Sequence, residues 1–226
     1  MKGIDLLRKK KAEFNILTVI NDKTAQHPEE IYSFFLSKGF RYLQFIPCVE
    51  VDSDRGKITD YSVGKAQYGD FLCRLFDCWY NDGEPQASIR FFDNVLGIYL
   101  GYEPDMCLLK QRCGNYVVVE YNGDVYPCDF MVEKEQLLGN ILRQQLSEIL
   151  TTKKFTTFVE SKEKSPAECD HCQWRFTCNK DCPRLRGLPR EGKSAYFCQA
   201  HKKFFSYSEE RFRKLATKFS QGSVAV

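Results

Sequence analysis

The chain has 226 residues and a formal net charge of +3, from 33 Lys and Arg against 30 Asp and Glu. Hydrophobic residues make up 43% of it, including 18 Phe and 12 Tyr, which is enough to build a packed core, so a largely disordered protein is not expected. So small a net charge argues against a nucleic-acid partner, and the basic run at residues 8–11 is interpreted as a solvated helix face.

The sequence also argues against a membrane partner and against export. No apolar run reaches the about 18 residues that a membrane span needs. The N-terminal stretch lacks the apolar core and the small-residue cleavage site of a signal peptide. These features predict a cytoplasmic protein, in which thiols stay reduced, and its 11 cysteines then point to metal or cluster ligation rather than to disulfides.

The first half of the chain alternates predicted strands and helices. Residues 14–20 are almost continuously apolar and predict a strand covered on both faces, followed by a helix that stops at Gly39. Residues 41–48 predict the next strand, and strand, helix and strand at this spacing predict a βαβ unit with a parallel sheet. A long helix over residues 65–83 follows, and residues 87–101 predict a strand that runs into a short helix.

The character of the sequence changes after residue 100. Residues 115–128 are two β-rich runs joined by Asn122-Gly123, the strongest short-range signal for a β-hairpin. A helical patch is expected over residues 137–150, and a charged C-terminal helix over residues 199–218.

Eight of the 11 cysteines fall into a tightly spaced pattern in the second half of the chain. In chain order they are Cys107, Cys113, Cys128, Cys169, Cys172, Cys178, Cys182 and Cys198. Such spacings let loops wrap either a tetrahedral ion or a four-iron cluster, so two structural zinc sites and two iron–sulfur clusters both fit. A secreted disulfide framework does not suit a chain of this size without an export signal.

The remaining three cysteines carry weaker signals. Cys73 and Cys78 lie among apolar residues of the predicted helix over residues 65–83 and are interpreted as small buried hydrophobic residues. Cys48 ends a predicted strand, a place where catalytic residues occur, but a lone cysteine predicts little.

The order of the eight cysteines, together with GDVYPCD at residues 123–129, resembles the SPASM domain that follows a radical SAM barrel. In particular the chain resembles the anaerobic sulfatase-maturating enzymes, whose late barrel strands are similar to FNILTVIN and YLQFIPC of this sequence. The resemblance covers nearly the whole chain. It implies an α/β fold, with part of a radical SAM (β/α) barrel over residues 1–100 and then a small cysteine-rich α+β SPASM domain with a β-hairpin. That domain would extend over residues 101–226, including the C-terminal helix.

The resemblance further implies two auxiliary 4Fe-4S clusters whose ligands cross over in the sequence. The first cluster would take Cys107, Cys113, Cys128 and Cys182. The second cluster would take Cys169, Cys172, Cys178 and Cys198. On this interpretation, iron–sulfur ligation is favoured over zinc.

The activity that the resemblance implies is oxidation of a Ser or Cys side chain of an unfolded sulfatase polypeptide to formylglycine. S-adenosyl-L-methionine (SAM) and a third 4Fe-4S cluster would be cofactors of the full-length enzyme, and flavodoxin or ferredoxin would accept an electron. Asp129 matches the position of the family's proposed base, directly after a cluster ligand, although a turn or cap role is also open. Phe45, Ile46 and Val49 are candidate contacts to the adenosyl group of SAM, with ordinary barrel core as the alternative.

One departure from the family is decisive: the motif CxxxCxxC, which binds the SAM cluster, does not occur in this sequence. The chain is therefore expected to be the C-terminal part of a longer enzyme and to be inactive alone. The alternative is a standalone module that serves a separately encoded partner. Two other functions stay open, a SPASM enzyme that modifies another ribosomal peptide and a non-catalytic zinc-binding interaction module.

Overall fold

The computed structural model of the protein describes residues 2–52, 54–164, 166–186, 188 and 194–222. The chain forms two compact units, the first made of Met1–Pro104 with Phe197–Val226 and the second of Asp105–Tyr196. No helix in the described ranges is both long enough and apolar enough to cross a lipid bilayer.

The helices and strands follow one another along the chain as short elements joined by loops. In chain order they are α1 (Lys2–Lys9), β1 (Ile16–Ile20), α2 (Pro28–Ser37), β2 (Tyr42–Pro47), β3 (Val51–Asp52), β4 (Lys57–Ile58), α3 (Lys65–Tyr80), β5 (Ser88–Ile89), α4 (Arg90–Tyr99), β6 (Val118–Val119), β7 (Asp124–Tyr126), β8 (Gly139–Asn140), α5 (Leu146–Leu150), α6 (Lys153–Glu160), α7 (Arg175–Cys178), α8 (Pro183–Arg186) and α9 (Cys198–Gly222).

The first unit contains a parallel sheet in the order β1-β2-β5. Strands β1 and β2 are parallel, with Ile16 opposite Leu43, and β5 joins the other side of β2 in the same direction. Helix α2 connects β1 to β2 and ends at Ser37. Gly39, two residues later, has a φ of +73°, which suits glycine just after a helix end. The predicted βαβ unit with a parallel sheet is therefore confirmed.

Only one face of this sheet is covered by the described helices. Ile20 and Leu43 are buried on the helix side, whereas Leu17 and Val19 are 61% and 57% exposed on the other face. The prediction that the first strand is covered on both faces is therefore wrong for these two side chains. The physical reason is the alternation of side chains along a strand, which points every second residue of β1 away from the helices.

The core of the first unit is built from aromatic side chains on α3, α4 and α9. Phe76 lies 5.4 Å from Phe92, 5.7 Å from Phe204 and 4.8 Å from Phe212, measured between ring centroids. All four rings are fully buried. The C-terminal helix therefore packs into the first unit. The domain division predicted from the family resemblance placed this helix with the cysteine-rich segment. The predicted division into barrel and SPASM domains stays a prediction.

The second unit contains a three-stranded antiparallel sheet in the order β6-β7-β8. Strands β6 and β7 form the predicted hairpin, and Gly123 in its turn has a φ of +84°. The helical patch predicted over residues 137–150 is wrong in its first half, because only α5 is helical there. Backbone hydrogen bonds from Leu138 to Val125 (2.9 Å) and from Ile141 to Gly123 (2.9 Å) hold that half against β7 as β8 instead.

Candidate functional site

Four cysteines of the second unit are linked in a chain of electrostatic interactions. Cys128 follows β7, Cys182 immediately precedes α8, and Cys107 and Cys113 lie in the segment before β6. Cys182 interacts electrostatically with Cys113 and Cys128, and Cys113 interacts with Cys107. The fold therefore brings together four thiols that are up to 75 positions apart in the sequence, and they are the four that the family resemblance assigns to the first cluster.

Burial keeps three of these thiols protonated in the absence of a ligand. It raises the pKa of Cys182 to about 12 and that of Cys128 to about 11, and it also raises the pKa of Cys113. Metal ions and clusters bind the thiolate form, so binding here would release protons and would supply the positive charge that stabilises buried thiolates.

The loop that leads to Cys182 has an unusual backbone. Asn179, Lys180 and Asp181 all have positive φ angles, +44°, +73° and +61°. Each such residue costs on the order of 1–3 kcal/mol and persists only where its surroundings hold it. The Asn179 side chain donates a hydrogen bond of 2.6 Å to the carbonyl of Leu109, which fixes this loop against the segment that carries Cys107 and Cys113.

Two basic side chains that no sequence pattern points to also hold this region. Lys162 is fully buried and donates hydrogen bonds to the carbonyls of Cys107 (2.8 Å) and Leu108 (2.7 Å). Arg186 on α8 donates to the carbonyls of Lys162 (3.1 Å) and Asp181 (3.3 Å). Burial lowers the pKa of Lys162, and Asp181 together with Cys113, Cys107 and Cys182 acts in the opposite direction.

The four cysteines of the second predicted set do not all belong to one unit. Cys169 ends a short 3-10 helix at Ala167–Cys169, and the Cys172 backbone N–H donates to its carbonyl at 3.4 Å. Cys178 is the last residue of α7. Cys198 is the first residue of α9 and belongs to the first unit. The assignment of these four cysteines to a second cluster stays a prediction.

The donor set fits an iron–sulfur cluster. The structure describes all 11 cysteines, and none of them forms a disulfide. Within the described ranges, no group of three or more His, Cys, Asp or Glu side chains is arranged to hold a single metal ion. Thiolates bind both structural zinc and four-iron clusters, and in a four-iron cluster each thiolate binds a different iron.

Asp129, the predicted base, lies in an exposed turn directly after Cys128. Its Oδ1 accepts hydrogen bonds from the Tyr116 hydroxyl (2.6 Å) and from the Cys128 thiol (3.2 Å). Burial of the hydroxyl and its hydrogen bonds to Asp129 and Cys128 raise the pKa of Tyr116, so it remains a donor. Tyr116 was not predicted, and because it lies 13 positions from Asp129 on the other side of the hairpin, no local pattern points to it.

The three predicted SAM contacts lie in different environments. Phe45 is buried toward the helices, with its ring 5.8 Å from Phe71. Ile46 is the next residue of β2, so it points to the opposite face, and it is half-buried there. Val49 is buried just beyond the strand. The structure does not place Phe45 and Ile46 on one face, so a single ligand on the open face would meet Ile46 and not Phe45.

The remaining cysteines lie in the first unit. Cys73 on α3 is buried, and burial raises its pKa to about 11, which agrees with its interpretation as a small core residue. Cys78 on the same helix is half-buried. Cys48 follows β2, and its backbone N–H donates to the Ile20 carbonyl at 2.8 Å.

Comparison with known proteins finds a cluster-binding domain in the same part of the chain. Residues 107–173 match the SPASM family, described as an iron-sulfur cluster-binding domain. The chain is 37% identical over 209 residues to a cysteine-type anaerobic sulfatase-maturating enzyme of Clostridium novyi, covering 91% of this chain and 56% of the relative. It is 34% identical over 225 residues to a serine-type anaerobic sulfatase-maturating enzyme of Bacteroides thetaiotaomicron, covering 92% of this chain and 54% of the relative.

Solved structures give the same result. The structure described as native anSMEcpe with bound AdoMet and Cp18Cys peptide superposes with a TM-score of 0.87 at 35% sequence identity, covering 96% of this chain and 62% of that one. The chain thus spans little more than half the length of the relatives it matches. The first unit contains a parallel sheet, the second contains the matched SPASM segment, and the similarity covers nearly the whole chain. The chain therefore belongs to the radical SAM/SPASM family, and its likeness to the anaerobic sulfatase-maturating enzymes is consistent with their C-terminal part.

Proposed function

We propose that this chain is the auxiliary-cluster part of an enzyme that oxidises a Ser or Cys side chain of an unfolded sulfatase polypeptide to formylglycine. The observation that carries the proposal is the grouping of Cys107, Cys113, Cys128 and Cys182 beside a hydrogen-bonded carboxylate, Asp129. Relatives that share 34–37% of their residues with this chain are named as sulfatase-maturating enzymes of both the cysteine and the serine type.

Two auxiliary 4Fe-4S clusters are proposed, the first on these four cysteines and the second on Cys169, Cys172, Cys178 and Cys198. SAM and a third cluster would be bound by the part of the enzyme that contains a CxxxCxxC motif, and Ile46 and Val49 are the proposed contacts to SAM from this chain. Phe45, although predicted with them, is better explained as core. Bound together, these cofactors supply hydrogen-atom abstraction and a route for one electron toward an acceptor such as flavodoxin or ferredoxin.

The chemistry needs a base. Converting a serine CH2OH to an aldehyde removes one hydrogen atom from Cβ, one proton from the hydroxyl and one electron. A cysteine gives a thioaldehyde in the same way, which water then converts to the aldehyde with release of hydrogen sulfide. Asp129 is the proposed acceptor of the hydroxyl or thiol proton, and the Tyr116 hydroxyl, 2.6 Å away, orients its carboxylate.

The test is Asp129→Asn in a polypeptide that joins this chain to its CxxxCxxC-containing part, assayed on a sulfatase peptide. A positioned base contributes about 100-fold or more, so aldehyde formation should fall by at least that factor. Iron content and SAM cleavage should be unchanged, because Asp129 is not a cluster ligand. Glu135→Gln, which neutralises another exposed carboxylate of the second unit, is the matched control and should retain full activity. Full activity of Asp129→Asn would reject the assignment.

Another peptide modification by a SPASM enzyme, such as a crosslink or an epimerisation, is the second candidate, because the matched domain alone does not define the substrate. The same preparation distinguishes the two. Mass spectrometry of the sulfatase peptide should show a loss of 2 hydrogens from Ser, or of hydrogen sulfide with gain of oxygen from Cys, if the proposal holds.

A further inference from the structure

Lys162 lies at an unusual place for a lysine. Its side chain is fully buried, and its ammonium donates hydrogen bonds to two consecutive carbonyls, those of Cys107 (2.8 Å) and Leu108 (2.7 Å). Lysine is almost never fully buried unless it is paired. The bonds reach across 55 and 54 sequence positions, so Lys162 fixes the start of the segment that carries Cys107 and Cys113.

The surroundings of Lys162 are rich in groups that are negative when they are ionised. Its ammonium interacts electrostatically with Asp181 most strongly and then with the thiols Cys113, Cys107 and Cys182. Asp181 is 2% exposed and its Oδ1 accepts the Cys182 backbone N–H at 2.6 Å. The buried ammonium therefore lies within electrostatic range of one carboxylate and three of the four thiols of the first proposed cluster.

A charge in this position acts on whatever the thiols hold. Reduction of an iron–sulfur cluster adds one negative charge to it, and in a low-dielectric interior a nearby cation stabilises that added charge more strongly than it would in water. Neighbouring charges and hydrogen bonds that do not touch the metal are known determinants of potential in such sites.

We propose that Lys162 is a positioning residue for the first auxiliary cluster: it holds the Cys107 segment in place and raises the reduction potential of the cluster through its charge. The inference rests on the proposed function in one respect only, that these four cysteines hold an iron–sulfur cluster. The carboxylate of Asp181, which interacts with the same ammonium, acts in the opposite direction.

The experiment uses the 226-residue chain, reconstituted anaerobically with iron and sulfide and titrated potentiometrically with detection by electron paramagnetic resonance. The signal of the first cluster is identified as the one that Cys128→Ala abolishes. At a fixed potential, we expect Lys162→Met to lower the ratio of reduced to oxidised first cluster at least tenfold. For a one-electron couple this corresponds to a reduction potential that is lower by about 59 mV. Lys164→Met removes the same charge from an exposed side chain of the same segment and should leave this ratio unchanged.

A second variant covers the case in which Lys162→Met does not incorporate the cluster. Asp181→Asn retains the oxygen that accepts the Cys182 N–H, and asparagine tolerates the positive φ at this position, so it should fold and shift the ratio toward the reduced form. An unchanged ratio in Asp181→Asn, or an equal shift in Lys164→Met, would overturn the inference while leaving the cluster assignment intact. A wild-type chain that binds no iron and sulfide would overturn the proposed function as well.

Discussion

Tyr32 on α2 carries a polar group in an apolar place. Its side chain is 4% exposed, and its hydroxyl has no hydrogen-bond partner among the described residues. A buried polar group without a partner destabilises the folded state by about 1–3 kcal/mol. Burial, followed by the nearby Cys78, raises the pKa of Tyr32 to about 12.

Tyr32→Phe should therefore stabilise the first unit, by about 1 kcal/mol at pH 7. The gain should increase above pH 10. Between pH 10 and about pH 12 the tyrosine of the unfolded wild type loses its proton while that of the folded wild type keeps it. The free energy of unfolding of the wild type therefore falls by about 1.4 kcal/mol per pH unit in this window, and that of the variant does not. Urea unfolding at pH 7 and pH 11 measures both effects.

Tyr42→Phe is the matched control for Tyr32→Phe, because Tyr42 is 62% exposed in the same unit. It should change stability little at either pH. If Tyr32→Phe lowered the free energy of unfolding at pH 7, or if its effect were the same at pH 11, the hydroxyl would have a favourable contact in solution.

At the residue scale, the sequence points to the proposed ligands but not to the side chains that hold their segments in place. The cysteines are visible because their spacing is a local pattern, and Asp129 is visible because it follows Cys128 in the family's order. Lys162 and Tyr116 carry no such pattern. Each becomes significant only when the fold brings it next to a segment that is distant in the sequence, such as the 55 positions between Lys162 and Cys107.

At the scale of elements, the apolar periodicity predicted β1, α2, β2 and α3 well, because each buries several side chains at a regular spacing. Strand β8 was missed because it is two residues long and is defined by its pairing with β7 rather than by its own residues. The partner of α9 was not predicted either. Its apolar stripe shows that one face is buried but not which helices it packs against.

Helix α9 is expected to be essential for the first unit. Phe212 is fully buried, with its ring centroid 4.8 Å from that of Phe76 and 5.7 Å from that of Tyr99, on helices α3 and α4. Phe212→Ala should therefore cost about 3–5 kcal/mol, the usual range for removing a buried aromatic ring. Urea unfolding followed by tryptophan fluorescence measures the loss, because Trp79, whose ring centroid lies 6.0 Å from that of Phe212, contributes to the signal.

Phe219→Ala is the control on the same helix, because Phe219 is 46% exposed. It should cost far less than Phe212→Ala. Equal effects of the two substitutions would mean that α9 does not pack in solution as described.

At the scale of the whole molecule, the first compact unit is built from two separate stretches of the chain, and the second unit is the stretch between them. The chain leaves the first unit after Pro104 and returns to it at Phe197. A boundary drawn along the sequence could not anticipate this, because contacts, not order, define a compact unit. All four cysteines proposed for the first cluster lie in the continuous second unit, so that cluster can be tested without reference to α9.

The two-cluster proposal makes a quantitative prediction for the whole chain. After anaerobic reconstitution it should hold about eight iron and eight sulfide ions, the content of two 4Fe-4S clusters. Cys128→Ala and Cys172→Ala should each remove about half of the iron and half of the sulfide, because each takes a ligand from a different proposed cluster. Cys73→Ala, which changes a buried core thiol of α3, should remove neither iron nor sulfide. Iron and sulfide analysis of the four proteins measures this. Zinc without sulfide would instead support the non-catalytic interaction module, and loss of all iron in either ligand variant would show that the eight thiols do not form two independent sets.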